Sequence, residues 1–343
     1  MTQPAPSARD FLDWEAAAWW ARRLTPVGPT VTRNQAARVA TYLRESAARA
    51  PGIVAGVTGL DGASERAEQF PRLVVDRAGW GSANVGMFAD LTRGHVPPST
   101  NFVAQQGAAV ELGGLLGLLS TRVLGQFDPF SSRLYLVAPN IVHTRRLLGV
   151  NEEDFSMWVS LHEQTHAVQF AAAPWLPNYL QTQLGSLLES MADDPTARAW
   201  RTVRRLPRTL RSKEEASVGA LTQAALTDDE TLRLERIVAV MSMLEGHADV
   251  VMDSAESAVP STRAIRARFT RRRMEPSLGE TVLRRLIGLD AKLRQYRDGA
   301  GFVNGVVARV GHGGFNRVFE VEANLPTPQE IADPVRWVAR VAT

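Results

Sequence analysis

Cysteine is missing altogether from this 343-residue chain. That absence excludes disulfides and thiolate metal sites, and leaves imidazoles and carboxylates as the possible ligands of a transition metal. Lysine is nearly missing as well: Lys213 and Lys292 are the only two among 39 basic residues. The formal net charge is only +3, so the Arg and Ala bias reads as a coding background and not as a nucleic-acid signal. No apolar stretch reaches the roughly 20 residues of a membrane span. The longest, Ala108 to Leu119, is confined by Glu111 and Arg122, and its Gly113 and Gly117 predict close helix packing, hence a buried helix and no membrane anchor. The first residues, Met-Thr-Gln-Pro-Ala-Pro-Ser, lack a charged stretch followed by an apolar one, so no signal peptide is expected and the cytoplasm is the expected compartment.

What is present is His162-Glu163-Gln164-Thr165-His166, a His-Glu-x-x-His motif. Residues four apart share a helix face, so His162 and His166 can present two imidazoles to one zinc ion. Glu163 is turned by about 100° from His162; it cannot ligate, but it can reach a water on the metal's open side as general base. Phe155, Trp158, Val159, Leu161, Val168 and Phe170 predict that this helix is buried, with Asn151 and Asp154 as capping side chains at its start. The chain has six histidines; with so few, a chance match is expected on the order of once in a hundred such sequences. The metzincin extension needs Gly at 169 and His at 172, where the residues are Gln169 and Ala172. That subclass is excluded.

A zinc hydrolase with two helical histidines takes one further protein ligand and leaves a position for water. The best candidate lies in Met243-Leu244-Glu245-Gly246-His247-Ala248-Asp249, on a long helical pattern starting near Asp228, its expected cap. Glu245 and Asp249 share a face. Glu245 is therefore assigned as the third ligand, with Asp249 accepting the Nδ1–H of a ligating histidine. His247 is the alternative third ligand, or else a cleft residue able to donate to an oxyanion; Tyr135 and Tyr296 are the other candidate oxyanion donors. Gly246 is expected to bring this helix close to the motif helix.

The remaining pattern predicts a mainly α fold with a small β-sheet (α+β). We expect a single zincin-like domain over 1–343, with a helical N-terminal part to about 125 and a catalytic core from about 126 to 343. Helices are expected at Phe11 to Leu24, where Trp14, Trp19 and Trp20 read as core, and at Arg33 to Ala50, capped by Thr32. Gly125 to Pro129 reads as a chain break. Arg133 to Val137 is the clearest strand, expected to form the sheet edge over the metal, with His143, Arg145 and Arg146 on a solvated turn after it. Further helices are expected at Val282 to Tyr296 and Ile331 to Val341, with Trp337 docked in the core and a turn at Gly311 to Gly314. Arginines 198, 201, 204, 205, 208 and 211, like Arg271 to Arg273, read as solvated faces; no aromatic interleaving accompanies them, so no nucleic-acid partner is expected.

Several stretches together carry a resemblance. Asp76 to Trp80, Leu124 to Asp128, Trp158 to His166, Leu244 to Ala248 and Leu325 to Thr327 resemble the actinobacterial zincin-like metallopeptidases, often labelled as associated with deazaflavin-coenzyme biosynthesis. The resemblance spans nearly the whole chain. It implies a mostly helical zincin-like fold and a zinc peptidase with a peptide or protein substrate, His162, Glu163 and His166 matching the family's core motif. Glu245 and His247 both fall in the matching segment. The coenzyme label is not carried over as function. The rival expectation is a non-catalytic zinc-binding protein with the same fold.

Overall fold

Three short strands sit between two layers of helices in the computed structural model, which describes residues 10–96, 101–192, 226–272 and 298–342. The strands are β1 (Arg72–Val75), β2 (Gly125–Asp128) and β3 (Arg133–Val137). Their order is β1-β3-β2, with β3 parallel to β1 and antiparallel to β2. The strand expected at 133–137 is present with those bounds, but it is the central strand and not the edge. The edge beside the motif helix is β2, formed by the stretch read as a chain break. Its glycine and Asp-Pro ends hid the strand. Asp128 Oδ1 accepts from the Phe130 and Ser131 amides, and that turn folds β2 back onto β3.

Side chains alternate across β3, and the two faces pack against different helices. Leu134 and Leu136 join a core with α2 (Arg33–Thr58), α3 (Asp61–Ala67) and α7 (Glu152–Ala172). Thr32 caps α2 in a capping box with Gln35, but the helix runs past Ala50 to Gly59, where φ is +71°. It does so through Pro51, which cannot donate to the Ala47 carbonyl. Gln164 Nε2 of the motif donates to that carbonyl at 3.0 Å instead. A helix N-terminal to residue 125 is thereby welded to the motif helix, and the core runs across that expected division.

On the opposite face, Tyr135 and Val137 pack with α1 (Trp14–Leu24), α4 (Arg77–Thr92) and α5 (Phe102–Leu119). Of the tryptophans expected in the core, Trp14 packs against it partly buried, whereas Trp19 is 50% exposed; Ala17 and Ala21 are buried. The reason is the glycine pair of α5. A Cβ on Gly113 would lie 2.6 Å from Trp20 Cβ and 2.7 Å from the Ala17 carbonyl oxygen, so the two helices touch backbone to backbone. The expected close packing is present, but α5 is only 33% buried and not a buried helix; among the described helices it is the one long and apolar enough to cross a membrane.

After β3 the chain enters α6 (Ala138–Leu148) directly, where a turn was expected; Pro139 suits the first turn of a helix, and His143 is exposed on it. Then come α7, α8 (Leu176–Ala192), α9 (Asp228–Ser254), α10 (Thr262–Arg272) and α11 (Gly299–Phe315). Thr227, one residue before the expected cap, starts α9 in a capping box with Glu230. Gly311, inside the expected turn, kinks α11 with φ +68°. Gly246 packs α9 against α11 and not against the motif helix: a Cβ there would run into the Gly299 backbone. The expected last helix is broken by Pro334 into Pro328–Ala332 and Pro334–Trp337, and Trp337 is fully buried as expected. The arginines at 198–211, Arg273, and the expected helix 282–296 with Tyr296 lie outside the described residues.

Candidate metal centre

Helix α7 begins at Asn151, whose side chain accepts from the Glu153 and Asp154 amides at 2.8 and 3.0 Å. Asp154, the other expected cap, accepts from Ser261 instead. Phe155, Leu161 and Val168 are fully buried, and so are the polar Ser160, Gln164, Thr165 and Gln169. A helix buried on nearly every side holds its few polar side chains in fixed rotamers. His162 and His166 share the face that remains open, with rings nearly perpendicular and Nε2 atoms 3.2 Å apart.

The third donor comes from α9. Glu245 Oε2 lies 3.5 Å from His162 Nε2, and Oε1 lies 3.6 Å from His166 Nε2. All three ligand atoms fall within 4.8 Å of one another. Two imidazole nitrogens and one carboxylate, converging without a thiolate, fit a tetrahedral zinc ion with its fourth position open. The Glu245 side chain is 46% exposed, so that position is accessible from outside.

The other expected residues near the site are arranged differently. His247 is 0% exposed and points away, its ring 4.9 Å from that of Phe315. Asp249 receives Arg266 Nη2 at 3.2 Å and makes no hydrogen bond to either histidine. Where a carboxylate was expected at a histidine Nδ1, His162 faces Met252 Sδ at 3.2 Å and His166 faces Gln169 Oε1 at 2.9 Å. Tyr135 is on the sheet face away from α7.

Charge at the site is strongly coupled. Burial alone would pull His162 down, but the Glu245 carboxylate, with Glu163 and Asp249 behind it, raises its pKa to about 9. Burial pushes Glu163 up to about 7, opposed by His162 and by the Phe127 backbone amide. His166 stays below its ordinary value, chiefly through burial. Burial, with His312 and His166 nearby, takes His247 down to about 3, so it is neutral. A divalent cation at the three donors would displace the proton His162 otherwise holds.

Glu163 is placed by β2 as much as by its own helix. A Cβ on Gly125 would lie 2.5 Å from Glu163 Cγ and 2.9 Å from Oε1, so only glycine leaves room for this carboxylate. Two residues on, Phe127 stacks 5.7 Å from both Phe70 and Phe170 and pins the strand to α7. Sequence reasoning missed Gly125, Gln169 and Met252. For Gly125 a signal existed, since an isolated glycine in a strand marks a close approach. For Gln169 the signal was one turn of helix spacing from His166.

A family model described as "Zincin-like metallopeptidase" matches residues 12–338. Among solved structures, the chain resembles that of a candidate hydrolase with a novel fold from Chloroflexus aurantiacus. The two are 32% identical with a TM-score of 0.67, and the match covers 96% of this chain and 99% of that one. No curated protein matches the chain.

Proposed function

Because the chain belongs to the zincin-like metallopeptidase family, we propose that it is a zinc-dependent hydrolase of peptide bonds. The observation that carries this reading is the convergence of His162, His166 and Glu245 beside a buried carboxyl, Glu163, whose pKa is pushed up to about 7. When held by those three residues, zinc would supply carbonyl polarisation and acidify a water. Glu163 takes the proton of the attacking water and delivers it to the leaving amide nitrogen. A group near neutrality can do both, because it binds and releases a proton at similar cost. The space left by the missing side chain of Gly125 holds that carboxylate. An extended peptide would lie along β2, the sheet edge that has no further strand partner among the described residues. This reading replaces the expected β3 edge by β2.

Glu163→Ala tests it. The variant is expected to retain stoichiometric zinc and to lose cleavage of a peptide library by about 10²–10⁴-fold, the usual contribution of a general base. Equal turnover by wild type and variant would sink the proposal. Stoichiometric zinc in a wild-type protein that cleaves nothing would favour the non-catalytic zinc-binding reading.

A further inference from the structure

Gln169 lies one turn beyond His166 on α7 and is 0% exposed. Its side chain bridges the two helices that carry the metal donors. Nε2 lies 2.9 Å from the Leu244 carbonyl oxygen and 2.9 Å from His247 Nδ1, while Oε1 lies 2.9 Å from His166 Nδ1. Leu244 immediately precedes Glu245 in sequence.

These contacts allow one assignment of protons. A backbone carbonyl only accepts, so the Gln169 atom facing Leu244 is the NH₂ group. The same NH₂ has a second hydrogen, which goes to His247 Nδ1. His247 Nδ1 is therefore an acceptor, and its proton sits on Nε2, a buried nitrogen without a hydrogen-bond partner among the described residues. The amide oxygen then faces His166, so His166 Nδ1 carries the hydrogen and His166 Nε2 carries the lone pair. That Nε2 is the atom facing His162 and Glu245. The orientation of the amide is thus read off a fixed backbone carbonyl and passed to the histidine.

We infer that Gln169 is a positioning residue that locks His166 in its Nδ1–H tautomer, with Leu244 and His247 holding the amide, so that His166 Nε2 stands ready as a metal donor. The inference rests on the zinc reading for its purpose, although not for its geometry. It assigns to a neutral amide, held by a buried histidine, the task the sequence had suggested for Asp249. Asp249 is committed to Arg266 and contributes negative potential instead.

The test uses the full chain with its six histidines ¹⁵N-labelled. In metal-free wild type, the His166 ring is expected as the Nδ1–H tautomer, the one a free imidazole disfavours; finding it as Nε2–H would overturn the inference without any variant. Zinc affinity is then measured by competition with a chelating dye. Gln169→Leu is expected to weaken zinc about 10–100-fold, the usual cost of losing a ligand's supporting hydrogen bond, and to give His166 the mixed signal of an unconstrained ring. Asp249→Asn is expected to stay within about twofold of wild type, well below that range. Unchanged affinity in Gln169→Leu, or an equal loss in Asp249→Asn, would refute it. A wild type that takes up no zinc would instead defeat the metallopeptidase reading, while the tautomer measurement still decides the role of Gln169.

Discussion

Gly125 and Glu163 share one volume: the space a side chain would fill on the first residue of β2 is occupied by the carboxylate of the motif helix, with Glu163 Cγ 2.5 Å and Cδ 2.8 Å from the would-be Cβ. The strand and the proposed general base are therefore a single fitted unit. A buried carboxyl held between a helix and a strand backbone loses water but keeps a nearby amide, and the outcome is a pKa of about 7.

Gly125→Ala is expected to displace Glu163 without touching a metal donor. Peptide cleavage should fall at least about tenfold, within the span a general base contributes, while zinc stoichiometry stays at the wild-type value. The melting temperature should drop by the equivalent of about 1–3 kcal/mol from overpacking. Parallel measurement of turnover, bound zinc and melting separates these effects, and loss of zinc would contradict the assignment.

Pro51, Ala47 and Gln164 make a coupled trio. With Pro51 present, Gln164→Leu leaves the Ala47 carbonyl buried and unpaired, which costs about 1–3 kcal/mol. Pro51→Ala supplies a helical N–H for that carbonyl, so the same Gln164→Leu change should cost about 1 kcal/mol less in that background. A double-mutant cycle of chemical denaturation checks it. Additive costs would mean that the proline and the glutamine act independently.

Two glycines predict opposite signs for the same substitution. Gly246→Ala would drive a Cβ into the Gly299 backbone, which has no rotamer with which to retreat, and should cost about 3 kcal/mol or more. Because Glu245 is the adjacent residue, zinc binding should weaken in the same variant. Gly56→Ala, on α2 with nothing within 4 Å of the added methyl, should instead stabilise by about 0.5–1 kcal/mol. Thermal melts of the pair decide both.

Glu330 gives a pH signature far from the metal donors. Burial opposes its charge, but hydrogen bonds from Arg340, at 2.6 and 2.9 Å, and from the Thr327 backbone outweigh burial and hold its carboxyl below the ordinary 4.5. A carboxyl depressed in the folded state stabilises above its unfolded pKa, and that contribution is lost as pH falls through the folded value. Glu330→Gln should therefore cost about 1 kcal/mol at pH 7 and converge on wild type below its ordinary pKa of 4.5. Denaturation curves across that range test the sign.

The parts of this molecule legible in its sequence are those set by local spacing. The pair His162 and His166 depends only on helix period, Arg133 to Val137 announces itself by β-forming side chains, and Glu245 stood out by its four-residue spacing from Asp249. What escaped depends on distant partners. Trp19 was read as core because it is large, yet the α1 contact is set by small residues facing Gly113. The edge strand β2 was hidden by Gly125, whose missing side chain serves Glu163. Asp249 had the right spacing, but Arg266 from α10 claims it, a competition no local pattern reveals. Gln169 has no meaning until α9 docks and brings Leu244 and His247 to its amide.

The parallel pairing of β1 with β3 also sets a timetable. Arg72 and Leu134 are register partners, and α4 and α5 lie between them in the chain, so the crossover must close before the first rung of that ladder forms. Such long-range closure is slow compared with helix formation. Helix α7 can wind, and show its two imidazoles, before α9 docks from far along the chain to deliver Glu245. The three donors of the proposed centre meet only once α9 has docked, so metal uptake is expected to report completion of folding.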